Sequence, residues 1–459
     1  MDGENLSTRE FRSDPKALEA LRAMREREAA MSKLLMAFIT SGLVFMLFPG
    51  TLLGVWNLLQ ISGRDGGASI PAAWLQAHGH AQVFGWVGSF LLGIGFYSIP
   101  KLREQATGVI RSAWLCWVLW TVGVAVRWAA TVYGWSWRVL IPAAGALELA
   151  AFLIFFAIVS QHRPKDSSKK GLEPWVWVVM SATIGFLLSL TTNLVESMEV
   201  SARGMNPAFP REFDQRYLAL VGWGFLVPFV WGFSAKWMRV FLGLKAVRPR
   251  PLFGAVTLDF LGVGCAAAGH FGLATVLLFG ATVSSILAIR IFEANEQEAK
   301  IRGIHKSFPV FVRMAYGWLL VAAVLGMAAK QWDTSGGFWG ASRHALTVGF
   351  VGTMILAVGQ RILPAFAGMR LLWSPRLMFM GLALLALGCT LRVSCEVLAY
   401  QGYAGWAWHV LPASALLELT ALSVFATNTL CTFVLQKTHM VSEPMMVGVP
   451  QLATVSHPR

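Results

Sequence analysis

Apolar runs of about 20 residues recur along this chain from Leu34 to Leu435, and each is long enough to cross a ~30 Å hydrocarbon layer as a helix. Twelve segments follow from them, over residues 34–60, 75–99, 112–133, 138–160, 174–196, 216–238, 253–269, 271–292, 309–330, 343–366, 376–400 and 407–434. In lipid every backbone N–H and C=O must be satisfied, and segments of this length do so as α-helices. The expected fold class is therefore all-α, a polytopic membrane protein of about twelve transmembrane helices. Composition excludes a soluble alternative: the 459 residues are 56% hydrophobic and 14% charged, against roughly 25% charged in soluble domains.

The net charge of +14 is topological. Basic residues collect in the even-numbered connections, among them Lys101, Arg103, Lys165, Lys169, Lys245, Arg248, Lys300 and Arg370. The odd-numbered connections hold few, such as Arg64, Arg138 and Arg343. By the positive-inside rule this bias puts both termini in the cytoplasm of a bacterial cell, with the chain in its inner membrane. Membrane lipid is then the expected surroundings, and a nucleic-acid partner is not implied. Residues 1–33 are charged, with apolar positions at helical spacing (Leu18, Leu21, Met24). They read as a cytoplasmic surface helix rather than a signal peptide, and residues 435–459 as a cytoplasmic tail. Five cysteines fall inside spans without CxxC spacing, so a disulfide framework is not expected.

The chain repeats itself. At a constant offset of 264, residues 80–100 match 344–364 at eight of 21 positions, including His80/His344, Gly85/Gly349, Gly88/Gly352 and Pro100/Pro364. Gly123 and Arg127 then align with Gly388 and Arg392, and residues 142–151 match 412–421 at six of ten positions, Glu148 with Glu418. Helix 6 carries a weaker echo: Gly222-Trp223 aligns with Gly85-Trp86, which sets Tyr217 where His80 and His344 stand. Three four-helix units are expected, over 34–160, 174–292 and 309–434, around a pseudo-threefold axis. A plain duplication with an unrelated insert is the alternative.

Histidines supply the candidate chemistry. Four of the nine (His162, His305, His439, His457) fall in loops or the tail, while His78, His80, His270, His344 and His409 map to the same ends of helices 2, 7, 10 and 12. An imidazole within a membrane is satisfied by a neighbouring helix or bound to a metal. Duplication gives His80 and His344 equivalent places beside a common pore, the arrangement a low-spin b-type haem needs for its axial ligands. His78 and His80, two apart, point about 200° apart and cannot serve one iron. Which of them joins His344 stays open, the other being left for a second haem or a copper ion. His270 and His409 are further metal candidates, each with an interfacial reading beside it. Arg127 and Arg392 are read either as partners of Glu148 and Glu418, or as anchors for haem propionates, which suit a guanidinium bidentately. Glu396 stands one turn beyond Arg392 and is a competing partner. Glu196, Glu199 and Asp259 are lone acids without a visible relay.

Two resemblances attach to these residues. The segment His344-Ala345-Leu346-Thr347-Val348-Gly349, continuing through Gly352-Thr353-Met354, resembles the signature of the NnrS family, and His78-Gly79-His80 followed by Phe84-Gly85 resembles its helix-2 motif. That resemblance implies twelve spans, haem and copper, and a role in the response to nitric oxide. The family's acid after the second histidine is replaced here by Ala81-Gln82. More distantly, the pattern is similar to the catalytic subunits of haem–copper oxidases and nitric-oxide reductases, which implies three four-helix arcs with a low-spin haem between helices 2 and 10. Their copper triad has no counterpart in helix 6, which carries Tyr217 and Pro228 but no histidine. The expected function is a haem-binding inner-membrane protein that binds or processes nitric oxide, or joins membrane redox chemistry with a quinol or other respiratory donor. A cofactor-free solute transporter and an accessory subunit of a respiratory complex are the alternatives.

Overall fold

The computed structural model describes residues 15–64, 70–102, 110–160 and 173–437; residues 1–14, the connections bearing Arg103, His162 and Lys165, and the tail with His439 and His457 lie outside them. Twelve of its helices are long and apolar enough to cross a membrane: α1 (Arg25–Ser62), α2 (Ala72–Ile99), α3 (Ile110–Tyr133), α4 (Trp137–Ser160), α5 (Pro174–Arg203), α6 (Arg211–Leu242), α7 (Pro249–Ala267), α8 (Phe271–Ile289), α9 (Phe308–Trp332), α10 (Gly337–Phe366), α11 (Pro375–Tyr400) and α12 (Ala407–Leu435). The helix expected on the surface ahead of the first span is not a separate element. It starts at Pro15 and runs into that span, since no glycine or proline between Lys16 and Ser41 stops it.

Consecutive helices pack against one another and α12 returns to α1, so the bundle closes. The second helix of each unit is an inner one: the most apolar stretches of α2, α6 and α10 are 61, 56 and 78% buried, against 33–44% for the third and fourth helices, and α1 reaches 56% beside α2.

Local packing repeats three times. A Cβ on Gly123 of α3 would meet Glu148 Cγ at 2.9 Å and the Ala144 carbonyl at 3.1 Å; on Gly388 of α11 it would meet Glu418 Cγ at 2.9 Å and the Ser414 carbonyl at 3.1 Å. Gly262 of α7 makes the same approach to α8, with Leu278 and the Ala274 carbonyl in the equivalent places. Each of the three turns that follow, between a unit's third and fourth helices, carries a glycine at positive φ: Gly134, Gly269 and Gly402. Only glycine adopts that conformation without steric cost.

The inner helices share another device. Each contains a π-helical segment, at Ala81–Gly88 in α2, Leu220–Leu226 in α6 and Ala345–Gly352 in α10. Two of these begin on the residue after His80 and after His344. A fourth, Met46–Leu52 around Pro49, interrupts α1, where the proline removes a donor from the helical ladder. Such wide turns insert a residue, re-aim the side chains beside them and free carbonyls from their usual partners.

Candidate functional site

A cavity of about 920 Å³ opens at the end of the bundle where the inner helices begin. Its walls carry His78 and His80 from α2, Tyr217 from α6 and His344 from α10. Arg127, Arg392, Glu396 and Glu418 face it from the outer helices of the first and third units.

His78 and His344 thus line one cavity, with Arg392 on the same wall. Each ring is fixed through Nδ1. His78 Nδ1 stands 2.8 Å from the carbonyl oxygen of Gly50, inside the π segment of α1. His344 Nδ1 stands 2.9 Å from the carbonyl oxygen of Gly340, one turn earlier in α10. A carbonyl only accepts, so Nδ1 must carry the proton and donate in both rings. The lone pair is then on Nε2, and no described residue engages either Nε2. This is the tautomer in which imidazole binds a metal, with the second nitrogen oriented by a backbone or carboxylate acceptor.

His344 has a second neighbour: Glu396 Oε2 of α11 is 2.9 Å from the same Nδ1. Room for that carboxylate comes from Gly340, where a Cβ would fall 2.2 Å from Glu396 Oε1. Arg392 Nε stands 3.5 Å from Glu396 Oε2, without a directed hydrogen bond, and Arg392 Nε and Nη1 are buried without hydrogen-bond partners. Glu418 Oε1 is buried and unpartnered as well. Burying guanidinium donors without acceptors is costly, so Arg392 stands ready for an anion at the cavity wall.

His80 is placed differently. Its Nε2 is 2.9 Å from Glu148 Oε1 of α4, and its ring lies 4.8 Å from that of Phe84. The nitrogen that would reach a metal is thus held by a carboxylate. Helical spacing anticipates that His78 and His80 turn to different neighbours. They do: one meets α1, the other α4.

Arg127 likewise differs from its counterpart. Nη1 donates to Asn193 Oδ1 at 3.0 Å and Ser197 Oγ at 2.6 Å, both on α5, and the guanidinium lies over the Phe209 ring at 4.9 Å. Asn193 Nδ2 in turn donates to Tyr217 Oη at 3.0 Å. The Arg127–Glu148 pair expected from sequence does not form, because α5 satisfies the arginine and His80 takes the acid. In the third unit the competing partner prevails, and Arg392 pairs with Glu396. Below these groups, rings from α2, α5 and α6 fill the space. Phe186 stacks on Phe225 at 4.1 Å, and Phe84 on Phe225 at 6.2 Å.

His270 and His409, at the ends of α8 and α12, are exposed and are absent from the cavity wall. Among the described residues no group of three or more His, Cys, Asp or Glu is arranged to hold a metal ion, so the residues present do not fit a copper centre. Glu199 is exposed and pairs with Arg203 at 2.8 Å; Asp259 is buried in α7 with Oδ1 unpartnered. Sequence reasoning missed Asn193 and Ser197, although two polar residues four apart in an apolar span are a usable signal. The carbonyls of Gly50 and Gly340 left no such signal.

The residues around His78 and His344 fit a haem. Two imidazoles with no hydrogen bond at Nε2 line a shared cavity, its volume suits a large planar ligand, and an arginine with unpartnered donors lines the same cavity.

Comparison with known proteins gives the same architecture. A solved structure of a haem–copper terminal oxidase, determined by cryo-electron microscopy as a dimer, superposes with a TM-score of 0.67 at 10% sequence identity, over 88% of this chain and 84% of that one. The fold resembles that of the haem–copper oxidases. A family model described as "Domain of unknown function (DUF8744)" matches residues 221–432, just under half of the chain. No curated protein matches the sequence.

Proposed function

We propose that this chain is a haem-binding protein of the bacterial inner membrane, in which His78 and His344 would hold one b-type haem and Arg392 would anchor its propionates. The observation that carries this reading is the shared state of the two imidazoles. Both donate Nδ1–H to a main-chain carbonyl, both have Nε2 without a hydrogen bond to any described residue, and both line one cavity. Bound haem supplies one-electron transfer when both axial sites are filled, and diatomic ligand binding when one opens. The chain's own contribution is orientation. Gly50 and Gly340 fix the rings, Glu396 sits beside the second of them, and Arg392 neutralises an anionic edge. Apolar side chains of α1 and α12, among them Val55, Leu58 and Leu422, limit the water beside the site.

The resemblance of His344–Met354 and of His78–Gly85 to the NnrS motifs supports nitric oxide or a related species as the ligand, with a membrane quinol or another respiratory donor as the source of electrons. Purification in detergent followed by haem and metal analysis tests the proposal. The expected result is about one haem per chain, lost in His344→Ala. A colourless, haem-free wild type would favour the solute-transporter reading, and a haem-free chain that copurifies with a respiratory complex would favour an accessory role.

A further inference from the structure

The two candidate ligands are held unequally, and that difference has a chemical consequence. His78 donates Nδ1–H to a neutral carbonyl alone, that of Gly50. His344 has both the Gly340 carbonyl and the Glu396 carboxylate within 2.9 Å of its Nδ1. A carboxylate at the outer nitrogen of a ligating histidine fixes the ring and raises its basicity at the inner nitrogen; here Glu396 acts by its charge at 2.9 Å, without a directed hydrogen bond. Both surroundings are close-packed. Around His344 the fit is closed, since even a methyl group on Gly340 would strike the carboxylate. The His78 ring is packed as closely against α1, where a methyl group on Gly54 would lie 2.6 Å from its Cε1, so what separates the two rings is the carboxylate.

We propose that His344, backed by Glu396, is the anchoring ligand and His78 the exchangeable one, so that a neutral diatomic ligand binds on the α2 side. The inference rests on the haem reading above. With haem bound, His78 would give up its place to the diatomic ligand, one ligand leaving as the other enters, without transfer of an electron or a proton. Glu396 acts here as a positioning residue, because it reaches the iron only through His344.

The test compares wild type, His78→Ala, His344→Ala and Glu396→Gln, each purified in detergent, by haem content, by carbon monoxide titration of the dithionite-reduced protein and by redox titration. His78→Ala is expected to keep most of its haem and to bind carbon monoxide at least as tightly as wild type, whereas His344→Ala loses most of its haem. Equal losses from the two variants, or the larger loss from His78→Ala, overturn the ranking. Glu396→Gln preserves shape and is expected to keep haem, raise the midpoint potential and weaken carbon monoxide binding several-fold. A potential and affinity equal to wild type overturn the role of Glu396. A wild type without haem overturns the haem reading itself, a result that haem analysis separates from either of these.

Discussion

His78, His80 and His344 carry the same ring and differ in what holds it. For His78 and His344 the acceptor at Nδ1 is a carbonyl, which fixes the tautomer. For His80 the acceptor is Glu148, and it sits at Nε2. Replacing Arg392 by leucine removes the unpartnered donors at the cavity wall. One lost charge-assisted hydrogen bond is worth about 1.5 kcal/mol or more, so Arg392→Leu is expected to weaken haem retention about tenfold. Haem transfer to apomyoglobin measures this, and retention equal to wild type would speak against the arginine as an anchor. Far from the cavity, Glu293 beyond α8 is held below the usual carboxylate range, first by its hydrogen bond from Arg290, then by the charges of Arg290, Arg248 and Lys245. A carboxylate depressed in the folded state stabilises above its ordinary pKa of about 4.3 and loses that contribution as pH falls through the lower folded value. Glu293→Gln is therefore expected to expose the 290–307 connection to protease at neutral pH, the difference from wild type vanishing in acid. Equal digestion across the range would show that the contact contributes nothing.

The helices show where sequence reading succeeds and where it stops. Lengths and order of the spans were legible because lipid forces long apolar segments. The direction of His78 against His80 was legible from helical geometry. Their partners were not. Two of these are main-chain carbonyls, Gly50 inside a π segment and Gly340 just before one, and no side-chain pattern marks a wide turn. Pro49 is the one visible hint. Helix crossings depend on single glycines in the same hidden way. A Cβ on Gly185 of α5 would lie 1.8 Å from the Gly224 carbonyl of α6, a backbone atom that cannot swing aside. Overpacking typically costs about 1–3 kcal/mol, more where main chain must move. Gly185→Ala is accordingly expected to lower the thermal unfolding midpoint in detergent. Gly79→Ala, which meets open space, is the control. A Gly185→Ala variant as stable as that control would contradict so close a crossing of α5 and α6.

Across the whole molecule, three units keep one packing plan and differ in chemistry. The first and third retain His, Arg and Glu at matching places (His80, Arg127, Glu148; His344, Arg392, Glu418), while the middle unit has Tyr217, Ala266 and Leu278. Sequence alignment found the first and third because their polar residues survive; the middle copy, a weak echo in sequence, is plain in the contacts of Gly262, the turn at Gly269 and the π-helical segment of α6. The similarity to a haem–copper terminal oxidase belongs to this scale, as likeness of fold, with no cluster of three metal-ligating side chains among the described residues. Whether α2 and α10 present two imidazoles to one haem is decided by electron paramagnetic resonance of the oxidised, purified protein. The expected spectrum is the low-spin ferric signal of a bis-histidine haem, converted to a high-spin signal in His78→Ala. A wild type with only a high-spin signal, or with no haem signal at all, would contradict it.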